Sequence, residues 1–195
     1  MERARISLLT ICGLEELDGH SDGRVSHVLS ILDPDWPDPE GFKAWARHHR
    51  LLLRFHDIID PIEGQMLPEK EHVAEILRFA DALESDAGER EDGHLLIHCH
   101  MGISRSTAAM TMLLAQAYPD ESEDEIVARL TAIRPQAWPN LRMIGFADEI
   151  LGRDGRLSAA VSRLHARQIE RQPKLADVFR RLGRSREVET ALAAA

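Results

Sequence analysis

Cysteine is scarce in this sequence, and the scarcity excludes several kinds of site. Cys12 and Cys99 are the two cysteines among 195 residues, too few for a disulfide framework or a four-cysteine zinc site. The histidines show no zinc-ligand spacing that is repeated in a second cluster. We therefore expect neither a bound metal nor another cofactor.

Long apolar runs are also missing. No stretch approaches the ~20 consecutive apolar residues that cross a bilayer. The first residues, MERARISLLTICGLEELDG, lack an apolar segment that is followed by a small-residue cleavage site. These absences predict a cytoplasmic protein without a transmembrane segment.

Positive charge is in short supply over most of the chain. The 24 Lys and Arg residues face 33 Asp and Glu, which gives a formal net charge of −9. Residues 161–195 hold eight basic and four acidic residues, so this tail has a net charge of +4 and the rest of the chain is strongly acidic. An acidic body argues against a nucleic-acid partner, because nucleic-acid binding requires a basic face. We expect the basic tail to be the solvated face of terminal helices, with an acidic partner for it as the alternative.

The pattern of apolar residues indicates an α/β fold. Short apolar runs predict strands at 5–11, 25–32, 51–56 and 94–98. Helical spacing predicts helices at 68–85, 104–117, 122–132, 139–151, 157–170 and 175–182, and turn-rich stretches predict loops at 33–41 and 86–93. This order indicates a small central, mostly parallel sheet flanked by helices, with a helical C-terminal extension. The corresponding division is a first domain over residues 1–156 and an extension over 157–195.

One segment, residues 98–106 (HCHMGISRS), carries the chemistry. It places Cys99 at the end of a predicted strand and Arg105 at the start of a predicted helix. A strand–loop–helix turn of this kind gathers backbone N–H groups at the positive end of the helix dipole, which creates an oxyanion site. Gly102 permits the positive φ of a tight loop, and the Arg105 guanidinium can hold two phosphate oxygens at once. The same surroundings favour the nucleophilic thiolate form of Cys99.

The motif is specific only in its full form. A cysteine that is followed six residues later by an arginine arises by chance in about one sequence in five of this composition. The histidine before the cysteine, the glycine after it and the serine after the arginine together lower that chance to on the order of 10⁻⁴. The predicted strand and helix on either side agree with the motif.

In its full form the motif resembles the signature of the Cys-based protein tyrosine phosphatase superfamily, HC-x-x-G-x-S-R-S, at every fixed position. The sequence is most similar to the compact dual-specificity-like members, and among them to bacterial predicted tyrosine phosphatases. Weaker similarities at 25–32, 134–135 and 139–140 extend the resemblance over about residues 5–152.

The resemblance implies a role for each residue of the segment. Cys99 would attack phosphorus and form a cysteinyl-phosphate, which water then hydrolyses. Ser106 would steady the departing thiolate, and His98 would support the thiolate through hydrogen bonds. The residues that would bind the phosphoryl oxygens are His100, Met101, Gly102, Ile103, Ser104 and Arg105.

Departure of an alkoxide or phenolate also requires an acid, and the family supplies a carboxyl group upstream of the cysteine. Trp36-Pro37-Asp38 spells the acid-loop motif of the tyrosine-specific members, but it follows an earlier strand than the family's loop does. Asp57 ends the next predicted strand, and Asp60 lies in the same loop. We favour Asp57 as the general acid and keep Asp60 as the alternative.

Together, these residues predict a phosphomonoesterase that acts on a phosphorylated protein or a small phosphomonoester. The N-terminal region shows no aromatic loop that would clamp phosphotyrosine, so a shallow dual-specificity site fits better than a deep tyrosine-only pocket. A non-catalytic phosphate-binding module, or pseudophosphatase, is the alternative if neither aspartate reaches the leaving group. A sulfurtransferase or an arsenate reductase is a further alternative, because both use a cysteine in an oxyanion loop. For an arsenate reductase, Cys12 would be the resolving thiol.

Overall fold

A four-stranded parallel sheet forms the centre of the molecule. The computed structural model describes residues 6–21, 25–85 and 93–194. The strands are β1 (Ile6–Cys12), β2 (His27–Leu32), β3 (His49–Arg54) and β4 (Gly93–His98), in the spatial order β1-β4-β2-β3. All three neighbouring pairs are parallel, so the carboxyl ends of the strands meet at one edge of the sheet.

The two central strands, β2 and β4, are buried on both faces, as expected for a parallel sheet that is covered by other elements. Leu29 and Ile31 of β2 lie in the main hydrophobic core. Val28 points to the other face and packs with Cys12 and Leu96 in a smaller core. Burial on both faces explains why the sequence marks these strands as continuous apolar runs rather than as alternating ones.

The described residues form seven α-helices. These are α1 (Lys70–Ser85), α2 (Arg105–Ala117), α3 (Glu123–Ile133), α4 (Leu141–Leu151), α5 (Arg156–Arg171), α6 (Lys174–Arg181) and α7 (Ser185–Ala193). Short 3-10 helices, Leu14–His20 and Glu40–Ala44, follow β1 and precede β3. The central helix is α2, in which residues 105–115 are all buried. Burial on every side explains why its sequence is apolar all round rather than amphipathic.

The last three helices pack on the body of the molecule. Leu157, Ala160 and Val161 of α5 lie in the main core. A second core joins the three helices to the connection between α3 and α4, and its buried members are Trp138, Ile169, Ala176, Phe179, Val188 and Ala191. The Trp138 ring stacks between His165 and Phe179, with ring centroids 4.0 Å apart on each side.

The α/β prediction is confirmed, including the parallel sheet and the helical C-terminal extension. Helix α7 was not predicted, because its nine residues bury only two apolar side chains, Val188 and Ala191. The predicted loop at 33–41 contains the start of a 3-10 helix at Glu40. Most of the predicted loop at 86–93 lies outside the described residues. The division into domains after residue 156 stays a prediction.

Candidate active site

Cys99 directly follows β4 and begins a loop, residues 99–105, that leads into α2; we call it the phosphate loop. The thiol is buried. Its Sγ lies 3.2 Å from the hydroxyl oxygen of Ser106 in the first turn of the helix. The structure therefore brings the predicted nucleophile and its predicted hydroxyl partner into hydrogen-bond contact.

The backbone of the phosphate loop turns carbonyl oxygens outward. The His100 carbonyl accepts a hydrogen bond from the Leu14 amide, and the Ile103 carbonyl accepts one from the Trp138 amide, each at 2.9 Å. The amides of residues 100–105 donate to none of the residues that the structure describes. Because free amides at a helix N-terminus bind anions, these N–H groups are available to an oxyanion beside the thiol.

Gly102 allows the loop to pack against the end of β1. Its φ is +67°, and a Cβ atom at this position would lie 2.5 Å from the backbone carbon of Cys12. Arg134 holds the same turn, because its Nε donates to the Gly102 carbonyl at 3.0 Å while its guanidinium pairs with Glu16. A larger residue than glycine would have to displace the loop or the strand.

Arg105 is buried, and its hydrogen-bonding capacity is only partly used. The side chain is 4% exposed, and Nη1 donates to the Asp33 carboxylate and to the Phe55 carbonyl, each at 2.6 Å. Nε is buried and has no partner within the described part of the chain. An unsatisfied buried donor costs about 1–3 kcal/mol, a cost that an anion held by the phosphate loop would remove.

Asp57 lies beyond the end of β3 and reaches the start of α2. Its Oδ1 accepts hydrogen bonds from Ser104 Oγ at 2.8 Å and from Asn140 Nδ2 at 2.9 Å, and its Oδ2 lies 3.3 Å from Arg184 Nη1. Burial alone would raise the pKa of Asp57. The Arg184 and Arg105 guanidinium groups and the two hydrogen bonds lower the pKa, and together they outweigh the effect of burial. The net pKa is below the usual range, so the predicted acid lies at the phosphate loop as a carboxylate.

The alternative acid, Asp60, lies in the same loop but is more exposed. Its carboxylate pairs with Arg186 of α7 at 2.7 Å. The same guanidinium donates to the Ile59 carbonyl at 3.0 Å. Asp60 therefore has its partner in the C-terminal extension, whereas Asp57 contacts the phosphate loop itself.

His98 is fully buried in β4, one residue before the nucleophile. Its Nε2 bonds to Ser30 Oγ at 2.7 Å, and Arg50 Nε donates to the same hydroxyl oxygen at 2.8 Å. The Ser30 hydroxyl thus links Arg50 to His98, and the tautomer of the imidazole ring decides which of Ser30 and His98 donates. Burial lowers the pKa of His98 to about 4, so the ring is neutral at pH 7.

The Trp36-Pro37-Asp38 segment lies at the rim of the phosphate loop without supplying an acid. The Trp36 ring contacts the His100 ring, with centroids 4.5 Å apart. The Asp38 carboxylate pairs with Arg54 at 2.5 Å. A cleft of about 540 Å³ opens beside this segment, and Phe42 and Trp45 are among the residues that line it.

The C-terminal extension contributes a residue to the site that the sequence did not indicate. Arg184 was expected on a solvated basic face, but it is 2% exposed and donates to Ser104 Oγ at 2.7 Å. The expectation is therefore wrong for this residue. Arg163 and Arg186 of the tail also pair with acidic residues of the body. Whether the tail has a separate acidic partner stays a prediction.

Asp33 is a second site residue that the sequence analysis did not identify, although its position after a predicted strand could have indicated it. It directly follows β2, and the carboxyl ends of parallel strands converge where α/β proteins bind ligands. Because Asp33 lies at this edge of the sheet, its carboxylate can accept a hydrogen bond from Arg105. Arg184 has no comparable signal, because the fold brings it to the site from 80 residues beyond Ser104.

Cys12 is buried at the end of β1, next to β4. It packs in an apolar cluster with Leu17 and Val25. Burial raises the pKa of its thiol to about 12, so this group stays protonated at pH 7. Its surroundings are those of a small buried hydrophobe, as the apolar strand predicts.

Two kinds of feature are absent from the described part of the chain, residues 6–21, 25–85 and 93–194. No group of three or more His, Cys, Asp or Glu side chains is arranged to hold a metal ion. No helix in these ranges has both the length and the apolar character to cross a membrane.

Comparison with known proteins gives one distant relative and many similar structures. No family model matches the sequence. Human Protein phosphatase Slingshot homolog 3 is 31% identical over 128 residues, which cover 65% of this chain and 16% of that protein. The crystal structure of DUSP15 matches with a TM-score of 0.55 at 20% identity, covering 83% of this chain and 94% of that one. Human DUSP28 also gives 0.55, at 17% identity and with 78% and 96% coverage.

These findings show a dual-specificity phosphatase fold and a distant sequence similarity to a Slingshot phosphatase. The chain spans about a sixth of the length of that relative. The narrower resemblance to bacterial members finds no support in these comparisons.

Proposed function

We propose that this protein is a phosphomonoesterase of the Cys-based protein tyrosine or dual-specificity type, which works through a cysteinyl-phosphate. The observation that carries the proposal is the geometry of the phosphate loop. A buried thiol begins it, the amides of residues 100–105 have no acceptor among the described residues, and the buried Nε of Arg105 lacks a partner there. The shared fold and the similarity to a Slingshot phosphatase support the same function.

In the first step, the Cys99 thiolate attacks the phosphorus atom of a bound monoester. The S–P bond forms while the P–O bond to the leaving group breaks. The loop amides and Arg105 stabilise the negative charge on the three nonbridging phosphoryl oxygens. Asp57, in its protonated form, gives its proton to the departing oxygen, which then leaves as an alcohol or a phenol.

In the second step, water hydrolyses the cysteinyl-phosphate. Asp57, now a carboxylate, takes a proton from the water as its oxygen attacks phosphorus. The S–P bond breaks, and its electron pair returns to sulfur. The Ser106 hydroxyl, 3.2 Å from Sγ, donates a hydrogen bond to the returning thiolate. Neutral His98 supports the loop from the strand behind it.

The substrate class that we propose is a phosphorylated protein side chain. The rim of the site is open and apolar, since Trp36 is 45% and Met101 68% exposed. The cleft beside Trp36 can receive the residues that flank a phosphorylated one. An open rim fits phosphotyrosine as well as the shorter phosphoserine and phosphothreonine.

A phosphate-binding module without turnover is the second candidate, and one observation favours it. The Asp57 carboxylate is ionised and held by partners, whereas acid catalysis requires a proton on it. A phosphate dianion in the loop opposes this ionisation, because a nearby like charge raises the pKa of a carboxyl group. Turnover therefore decides between the two functions.

Hydrolysis of para-nitrophenyl phosphate tests the proposal. In the presence of EDTA and fresh reductant, the wild-type protein is expected to hydrolyse the ester. Cys99→Ser is expected to fall to background, because a hydroxyl at this position is a far weaker nucleophile than a thiolate. The release of nitrophenolate is followed by absorbance.

The matched control is Cys12→Ala, which removes the other thiol and is expected to retain turnover. A folded wild-type protein that binds vanadate but does not hydrolyse the ester would favour the phosphate-binding module. Equal rates for the wild type and Cys99→Ser would exclude a thiol mechanism altogether.

A further inference from the structure

The C-terminal extension places a buried guanidinium group against the phosphate loop. Arg184, in the turn between α6 and α7, is 2% exposed. Its Nη1 donates to Ser104 Oγ at 2.7 Å and lies 3.3 Å from Asp57 Oδ2. Ser104 Oγ in turn donates to Asp57 Oδ1 at 2.8 Å. The three side chains thus form a ring of contacts around the proposed acid.

A buried carboxylate holds the rest of this guanidinium. Nε and Nη2 of Arg184 donate to the two oxygens of Glu187, each at 2.8 Å. Glu187 also accepts from Trp138 Nε1 and from the Leu141 amide, each at 2.8 Å. The Trp138 backbone amide donates to Ile103 in the phosphate loop. Arg184 is therefore held between Ser104 and Glu187, and Glu187 is connected to the phosphate loop through Trp138.

The turn between α6 and α7 directs Arg184 inward. Gly183 has a φ of +75°, a left-handed conformation that residues with a Cβ atom rarely adopt. Its amide donates to the Arg180 carbonyl, and the Arg184 amide donates to the Phe179 carbonyl at 2.9 Å. This pair of bonds is the Schellman arrangement, which ends α6 and turns the chain toward the site.

We propose that Arg184 is a positioning residue for the reaction: it fixes the Asp57 carboxyl group beside the phosphate loop and controls its ionisation. The inference rests on the proposed function of the site. Oδ1 of Asp57 already accepts hydrogen bonds from Ser104 and Asn140. The proton of the acid form therefore resides on Oδ2, the oxygen that faces Arg184.

Charged and polar groups from several elements face Asp57. These groups are Arg105 of α2, His100 and Ser104 of the phosphate loop, Asn140 before α4, and Arg184. His100 is neutral at pH 7, since burial lowers its pKa. The two arginines are each paired with a further carboxylate, Asp33 or Glu187. Removal of Arg184 removes one of the two cations that stabilise the Asp57 carboxylate, and it thereby raises the pKa of Asp57.

The pH dependence and the leaving-group dependence of turnover test the proposal together. Asp57 acts as an acid only when protonated, so its pKa sets the limb of the kcat/KM profile that descends as pH rises. In Arg184→Gln that limb is expected to move to higher pH by about one unit or more. The plateau value of kcat/KM is expected to fall about 10- to 100-fold for phenyl phosphate, because its leaving group must be protonated as it departs. For para-nitrophenyl phosphate, whose leaving group departs without a proton, the plateau is expected to change little.

Further variants separate charge from folding. Arg184→Gln leaves Glu187 buried without its cation, which is costly. The pair is therefore also removed together, as Arg184→Gln with Glu187→Gln. Arg184→Lys restores the positive charge, so its limb is expected to return toward the wild-type position.

The matched control is Arg186→Gln, which removes the exposed arginine that pairs with Asp60. Its descending limb is expected to stay in place. A limb that moves in this control and not in the Arg184 variants would assign the acid to Asp60 and overturn the proposal. Equal losses for both esters with an unmoved limb would reduce Arg184 to a structural role and overturn it as well.

A carbon NMR titration of the Asp57 carboxyl group gives a readout that does not depend on turnover. The pKa of Asp57 is expected to be higher in the Arg184→Gln with Glu187→Gln variant than in the wild type. If the wild type does not turn over any ester, the proposed function fails, but the titration still decides this inference. An Asp57 titration that is unchanged by the double substitution would contradict it.

Discussion

Asp33 is the group that offsets the buried charge of Arg105. The guanidinium is 4% exposed, and the carboxylate lies 2.6 Å from its Nη1. Because Nη1 also donates to the Phe55 carbonyl, both of its N–H groups are used in hydrogen bonds within the protein. An oxyanion in the loop must therefore be bound by other N–H groups of Arg105, of which Nε is buried and without a partner among the described residues.

Asp33→Asn is expected to lower the free energy of unfolding by about 1–2 kcal/mol, because the hydrogen bond remains while the counter-charge is lost. Saturating vanadate is expected to stabilise this variant more than it stabilises the wild type, since the bound anion replaces the missing negative charge. Chemical denaturation with and without vanadate measures both effects.

The matched control for this substitution is Asp35→Asn, two residues further on and exposed. Its stability is expected to stay within about 0.5 kcal/mol of the wild type. If Asp33→Asn were as stable as this control, or gained no more from vanadate than the wild type does, Asp33 would not be the counter-charge of Arg105.

At the scale of elements, Trp138 connects the three C-terminal helices to the phosphate loop, in addition to the direct hydrogen bond from Arg184 to Ser104. Trp138 stacks between His165 of α5 and Phe179 of α6, and its Nε1 donates to Glu187 of α7. Its backbone amide donates to the Ile103 carbonyl in the loop. Packing of the extension and rigidity of the loop are therefore coupled at Trp138.

Two neighbouring residues of α6 make this coupling measurable. Phe179→Ala removes one face of the Trp138 stack and is expected to cost about 3 kcal/mol of stability. It is also expected to lower kcat, because the support of Ile103 is weakened. The free energy of unfolding and Trp fluorescence report the first effect, and ester hydrolysis reports the second.

Val178→Ala, on the outward face of the same helix and 39% exposed, is the control and is expected to change stability by no more than about 0.5 kcal/mol. If the two substitutions had equal effects on stability, the stack would not hold the extension in place. If Phe179→Ala lowered stability without lowering kcat, the helices and the phosphate loop would be independent.

At the scale of the whole molecule, the elements with strong local signals were predictable. The apolar runs that became β2 and β4 are buried on both faces, and such runs are visible in any local window of sequence. The motif at 98–106 predicted a loop between strand and helix, and the structure has that loop with Gly102 at positive φ. The roles assigned to Cys99, Arg105 and Ser106 stay predictions.

The contacts that complete the site were not predictable, because they join distant parts of the chain. Arg184 lies in a basic tail that resembles an exposed helix surface, and only the tertiary fold brings a buried carboxylate and the acid loop to it. Asp33 stands in a stretch rich in Pro and Asp that signals a loop, and its partner lies 72 residues later in the sequence. Local composition gives the type of element but not the charge that the fold places opposite a residue.

The proposed mechanism requires a covalent phosphoryl group on Cys99. Ser106→Ala removes the hydroxyl 3.2 Å from Sγ, so it is expected to slow breakdown of the intermediate more than its formation. The most direct measurement is rapid acid quenching of this variant during turnover of para-nitrophenyl phosphate, followed by mass spectrometry of the peptide that contains Cys99. The mechanism predicts one added phosphoryl group on that cysteine, and none in Cys99→Ser. Turnover with no phosphoryl group on Cys99, or with the group on another residue, would contradict it.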